Sequence, residues 1–118
     1  TSRCLVVADG YYEWKIENKE KIPHYFTKAD SGLMFFAGIY QNNEFCIITK
    51  EASDIVKDIH HREPLIINEE QISNYLNIKK EGMDILRSIK PPKLKFHEIS
   101  KDVNKPVNND PSLINLKI

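Results

Sequence analysis

"LMFFAGIYQNNEFCIIT", Leu33 to Thr49, sets two apolar, β-rich runs on either side of Gln41-Asn42-Asn43. Aliphatic and aromatic side chains suit a pleated, half-buried surface, and the asparagines mark a turn between two antiparallel strands. Working upstream, Asp30-Ser31-Gly32 is a turn, and "IPHYFTK" reads as a strand with Pro23 at its start. "ENKEK" before it is a charged connector. "YYEWKI" alternates, so Tyr11, Glu13 and Lys15 share one face and Tyr12, Trp14 and Ile16 the other. "CLVVA" (Cys4 to Ala8) is the first apolar run, and Asp9-Gly10 after it offers the positive φ of a turn or bulge. The succession predicts an antiparallel meander.

Downstream, Ser53 is placed to cap a short helix through Ile59, with Asp54 in its first turn. "EPLII" (Glu63 to Ile67) follows as a strand, because Pro64 biases its predecessor away from helix. "NEEQISNYL" sets Asn68 as an N-cap, with Ile72, Tyr75 and Leu76 at helical spacing. "MDILRSI" is a further short helix stopped by Pro91-Pro92, "LKFHEI" a late strand, and "VNKPVNNDPS" an irregular tail. The sum is a mixed α+β chain dominated by antiparallel strands.

The 118 residues suit one domain or part of one. Hydrophobic residues make up 41% and charged residues 29%, which excludes a disordered chain, and no apolar run is long enough to span a bilayer. No secretory signal opens the sequence. Seventeen basic residues balance seventeen acidic ones, so a nucleic-acid partner must be held by a local patch rather than a global field. Cys4 and Cys46 form no C-x-x-C pair and read as buried free thiols in a reducing compartment. The start at Thr1, directly in a strand-like run, reads as an excerpt from a longer protein.

Two stretches hold chemistry-bearing side chains. Glu13 lies among Tyr11, Tyr12 and Trp14, the last being the sole tryptophan. "IHHREP", Ile59 to Pro64, sets His60, His61 and Arg62 at a junction of helix and strand. A helix C-terminus suits a proton-carrying imidazole, and a planar guanidinium suits phosphate better than lysine does. By spacing alone, IHHREP fits a solvated polar turn better than a site, and Glu13 and Trp14 fit half-buried packing. No ligand spacing supports a zinc site from the histidines and a cysteine, and no phosphate or dinucleotide fingerprint is present.

The order of several motifs changes that balance. "RCLVVADGYYEWK" resembles the R-C-L-x-P-A-D-G-F/Y-Y-E-W segment of the SOS response-associated peptidase (SRAP) family. "FFAGIYQ" is similar to its A-G-L-W/Y-E strand, "FCIITKEA" to its F-x-I-I-T-x-x-A strand, "IHHREPLII" to its I-H-x-R-x-P signature, and "ISKDVNKP" to its V-S-x-x-V-N tail. The resemblance runs nearly the whole chain, in order. It implies an α+β, SRAP-like fold: a curved, partly barrel-like, mainly antiparallel sheet with short flanking helices. Residues 1–118 are then expected to be the C-terminal portion of a single SRAP domain.

The resemblance further implies abasic-site processing in single-stranded DNA. An N-terminal cysteine forms a Schiff base with the opened sugar aldehyde, and its thiol closes a thiazolidine crosslink; a peptidase activity is also attributed to the family. By position, Glu13 is similar to the glutamate assisting ring opening and proton transfer, and His60 to the histidine assisting Schiff-base chemistry. Trp14, Thr49 and Arg62 fall at positions resembling the DNA-contacting ones. No cofactor or metal is implied. The partners expected are abasic single-stranded DNA and the missing N-terminal part of the domain, with no membrane. The location expected for a bacterial source is cytoplasmic and nucleoid-associated. The nucleophilic cysteine is not among these residues: Cys4 lies inside the R-C-L motif and Thr1 has no thiol, so this chain alone is not expected to crosslink. Val7 stands where proline is usual, and Glu63 adds negative charge near the DNA path or pairs with a lysine. The competing reading is a non-catalytic module that binds single-stranded DNA.

Overall fold

In a computed structural model, residues 2–117 are described; Thr1, on which two expectations above rest, and Ile118 lie outside them. Among the described residues, eight strands and two short α-helices alternate with 3-10 turns. The strands are β1 (Ser2–Ala8), β2 (Tyr11–Glu17), β3 (Glu20–Lys28), β4 (Met34–Gln41), β5 (Glu44–Ile47), β6 (Thr49–Glu51), β7 (Arg62–Pro64) and β8 (Leu94–Glu98); the helices are α1 (Ile72–Leu76) and α2 (Gly82–Ser88). The fold is α+β, and all strand pairs are antiparallel.

The hairpins expected around Asn42-Asn43 and within "ENKEK" form. Asn42 and Asn43 have φ of 52° and 65°, and Asn18 and Lys19 have φ of 49° and 65°, the left-handed pairs that tight hairpins need. A continuous meander does not form. The sheets are ordered β1-β4-β5, β2-β3-β8 and β6-β7, so β3 and β4 are sequential but unpaired, and none closes into a barrel. The long-range partners β1 and β8 win because they extend the buried faces: Ala8 aligns with Met34 and Phe26 with Phe96. Beyond Pro64 the chain runs along β4, with Ala37 N–H donating to Leu65 C=O and Ile67 N–H to Phe35 C=O, each at 2.8 Å.

Three clusters form the core. One of them centres on the face of β2-β3-β8, where Tyr11, Phe26 and Phe96 stack in a row with centroids 5.0 Å apart and Val56 and Ile59 cover them. Such aromatic pairs add roughly 0.5–1.5 kcal/mol beyond area burial. Gly10 is needed for close approach rather than for positive φ, which it lacks: a Cβ there would strike the Tyr25 ring and come within 2.7 Å of the Phe26 carbonyl.

Several local expectations are corrected. The Ser53 hydroxyl does not cap the 3-10 turn Asp54–Asp58, because it donates to buried Glu63 at 2.7 Å. Asn68 likewise spends its side-chain amide on Lys90 C=O at 2.6 Å instead of capping. Cys46 is exposed and Cys4 half-buried, since β5 is an edge strand; both are free thiols. The tail, expected to be irregular, contains 3-10 turns at Lys101–Asn104 and Pro111–Ile114, started by Ser100 and Asp110 side chains that accept from backbone N–H groups. No helix is long and apolar enough to cross a membrane among the described residues.

Candidate functional site

Alternation along β2 sends Tyr11 into the aromatic row and brings Glu13, on the same face, to the edge of that row. Beyond the turn Asp54–Asp58, buried Ile59 locks into the Phe26–Val56 cluster and so fixes the position of His60. The result is close approach: Glu13 Oε1 lies 3.8 Å from His60 Nε2, with the two side chains 22% and 33% exposed. Glu13 Oε1 also accepts from Trp14 N–H at 3.1 Å.

His60 Nδ1 faces both Arg62 N–H, at 3.1 Å, and Arg62 C=O, at 3.2 Å, so it accepts from the first in one tautomer and donates to the second in the other, while Nε2 faces the carboxylate. His61 stacks on His60 with centroids 4.5 Å apart. A carboxylate facing an imidazole nitrogen, which carries a proton in one neutral tautomer and in the imidazolium, sets an acceptor beside a donor, the minimum equipment for moving a proton off one oxygen and onto another.

Arg62 begins β7 and Thr49 begins β6, and register places them across the same two-stranded ribbon. The guanidinium Nη2 donates to Thr49 C=O at 2.9 Å and to Thr49 Oγ1 at 3.1 Å, with both residues exposed. The structure thus brings Glu13, His60, Arg62 and Thr49 to one region. Trp14 is adjacent in sequence but alternates to the opposite face. Because β2 is an edge strand, its rim joins the two faces.

Sequence reasoning assigned no role to Asn104, whose Oδ1 accepts from the Trp14 indole N–H at 2.6 Å. It thereby sets the ring's orientation. Its signal was the V-N pair in "ISKDVNKP". The partner of Glu63 is Lys50, 3.0 Å away, and the carboxylate is buried, so its charge is turned inward rather than along the surface. Tyr11 Oη is buried with no hydrogen-bond partner among the described residues; burial first, then the charges of Glu63 and Glu13, push its phenol pKa up, so it stays protonated. Among the described residues, no group of three or more His, Cys, Asp or Glu converges as a metal site.

Comparison with known proteins places this geometry in context. The family model for "SOS response associated peptidase (SRAP)" matches residues 1–106. The abasic site processing protein YoqW of Bacillus subtilis is 34% identical over 128 residues, covering 97% of this chain and 57% of that protein. YedK of Escherichia coli, also named an abasic site processing protein, is 30% identical over 125 residues, covering 95% and 56%. A crystal structure of a protein from Bacteroides thetaiotaomicron superposes with a TM-score of 0.83 at 30% identity, covering 99% of this chain and 57% of that one. The chain therefore spans little more than half the length of these relatives. With the family model matched over most of its length and the fold shared with a solved relative, this chain belongs to the SRAP family.

Proposed function

We propose that residues 1–118 are the C-terminal portion of a single SRAP domain, in a protein that processes abasic sites in single-stranded DNA. Glu13 and His60 act as its acid–base groups. The observation that carries this is the 3.8 Å approach of Glu13 Oε1 to His60 Nε2. An abasic sugar is mostly a closed hemiacetal. Opening it removes a proton from the C1 hydroxyl and delivers one to the ring oxygen as the C1–O4 bond breaks. Glu13 is the acceptor and the His60 Nε2–H the donor. The aldehyde released condenses with the amine of an N-terminal cysteine, with loss of water, and the thiol adds to the resulting imine carbon to close a thiazolidine. That cysteine belongs to the N-terminal part of the domain, which is the intramolecular partner of this chain.

Arg62 and Thr49 hold the phosphate path, and Trp14 receives a base. These contacts position a strand without reading sequence, which suits damage that has no base to read. Lyase reversal of the crosslink and the peptidase activity named in the family use the same Glu13–His60 pair. The location is cytoplasmic and nucleoid-associated if the source is bacterial. The exposed Thr49–Arg62 pair also fits a module that only binds single-stranded DNA.

The test is incubation of the complete protein with an oligonucleotide carrying one abasic site. A heat-stable adduct is expected, slowed at least tenfold in Glu13→Ala and in His60→Ala. Stoichiometric binding without any adduct would favour the binding module.

A further inference from the structure

We propose that the cleft beside Trp14 is a nucleobase subsite favouring a base with an exocyclic amino group, such as cytosine, next to the nucleotide that Trp14 receives. The proposal rests on the DNA-processing reading and adds a sequence preference to it. The cleft has a volume of about 350 Å³ and is lined by Asp9, Tyr12, Tyr25, Asn109, Asp110 and Ile114, among others. That lies at the small end of the roughly 300–1,000 Å³ typical of small-molecule pockets.

Two features argue for a base. The first is a pair of accessible aromatic rings: Tyr12, 38% exposed, lies 6.3 Å from Trp14, centroid to centroid, with buried Tyr25 5.7 Å away behind it. Tyr12, Trp14 and Tyr25 share the face of β2-β3-β8 opposite the core, so a strand stacked on Trp14 meets Tyr12 next. Aromatic side chains spaced this way accept successive bases.

The second is the charge of the walls. Asp9 Oδ1 accepts from Tyr25 Oη at 3.3 Å, and Asp110 Oδ1 accepts from Ser112 N–H at 2.8 Å. The Ser112 N–H holds the Asp110 carboxyl below its ordinary range, so it is ionised near neutrality. No cation pairs with either carboxylate among the described residues. Two uncompensated carboxylates repel phosphate and accept hydrogen bonds, so a base enters the cleft while the backbone stays outside. Cytosine offers its N4 amino group as a donor, whereas thymine presents the O4 acceptor at the corresponding position.

The experiment measures, by fluorescence anisotropy, binding of the complete protein to oligonucleotides with one central tetrahydrofuran abasic analogue, which cannot open, flanked on both sides by dC or by dT. The dC flanks should bind about three- to tenfold tighter, within the discrimination that base-edge contacts supply. Tyr12→Ala should weaken both about five- to tenfold, and Tyr12→Phe, which keeps the stacking ring, should not. Asp9→Asn with Asp110→Asn should bring the dC/dT ratio to about one, because an amide accepts from cytosine and donates to thymine equally. Equal binding of dC and dT flanks by the unaltered protein, or an unchanged ratio in the Asn variants, overturns the subsite. Should Tyr12→Ala not fold, the ratio in the unaltered protein and the Asn variants still decides. Absence of any adduct with a natural abasic site is a separate result, which removes the function proposed above.

Discussion

Glu63 carries its charge inside the protein, between Lys50 Nζ at 3.0 Å and the Ser53 hydroxyl at 2.7 Å, both on Oε1. Side chains of this kind are hardest to place from sequence. That Glu63 could pair with a lysine was legible, but which lysine depends on the Lys50↔Glu63 register of β6 and β7. The same ribbon carries Thr49 and Arg62, so the pair also stiffens the proposed phosphate contact. Removing the lysine leaves a buried carboxylate held only by Ser53 and should lower stability by about 1–3 kcal/mol. Urea unfolding of Lys50→Ala against the parent checks this, and unchanged stability would mean that solvent reaches the carboxylate. Glu63→Gln should be milder, since an amide oxygen still accepts from Ser53.

Among the elements, β1 does more than its apolar pattern indicates. Arg3 Nη1 donates to Tyr75 C=O at 2.9 Å and to Asn77 C=O at 3.0 Å, while Nη2 donates to Lys80 C=O at 2.6 Å. One planar fork thereby gathers the carbonyls at the C-terminal end of α1 and the connection to α2. Helices this short are not stable by propensity, so such tethers hold them. Arg3→Ala should lower stability by about 1.5–3 kcal/mol, the range for hydrogen bonds to charged groups. Arg3→Lys should recover only part of that, because an ammonium lacks the fork. Hydrogen exchange at Tyr75 to Lys80 should accelerate in both; protection equal to the parent's would contradict the tether. Strand existence and hairpin turns were legible here from alternation and from Asn42-Asn43. Partner choice was not: nothing local to β3 states that it will meet β8 rather than β4. The caps failed at Ser53 and Asn68 for a related reason, as distant acceptors, the Glu63 carboxylate and Lys90 C=O, claim their side chains.

The whole molecule is extended for its length. Its radius of gyration is 15.4 Å, against about 13.5 Å for a compact domain of this size. Large apolar side chains stand in solvent on the sheets, including Val7 at 57%, Ile16 at 71% and Phe45 at 63% exposed. Surfaces of that kind are normally covered. Under the proposal that further chain completes the domain, the isolated 118 residues should self-associate at micromolar concentration, and the complete protein should not. Light scattering after size exclusion distinguishes them. A clean monomer of the isolated chain with two-state unfolding would contradict the proposal of a missing part. At this scale the family motifs made the pairing of Glu13 with His60 legible, although their approach is made by three-dimensional packing of Ile59. The V-N pair of the tail motif marked Asn104, but not its place behind Trp14, because that contact joins residues 90 positions apart.

The claim that Glu13 and His60 work as one proton-handling unit is tested most directly by a double-mutant cycle on adduct formation. Rates of crosslinking to an abasic oligonucleotide are measured for the complete protein, Glu13→Gln, His60→Gln and the double variant. Groups that act together give non-additive losses, so the double variant should be about as slow as the slower single one. If the two losses multiply, the side chains act independently despite their 3.8 Å separation, and the account of the site is wrong.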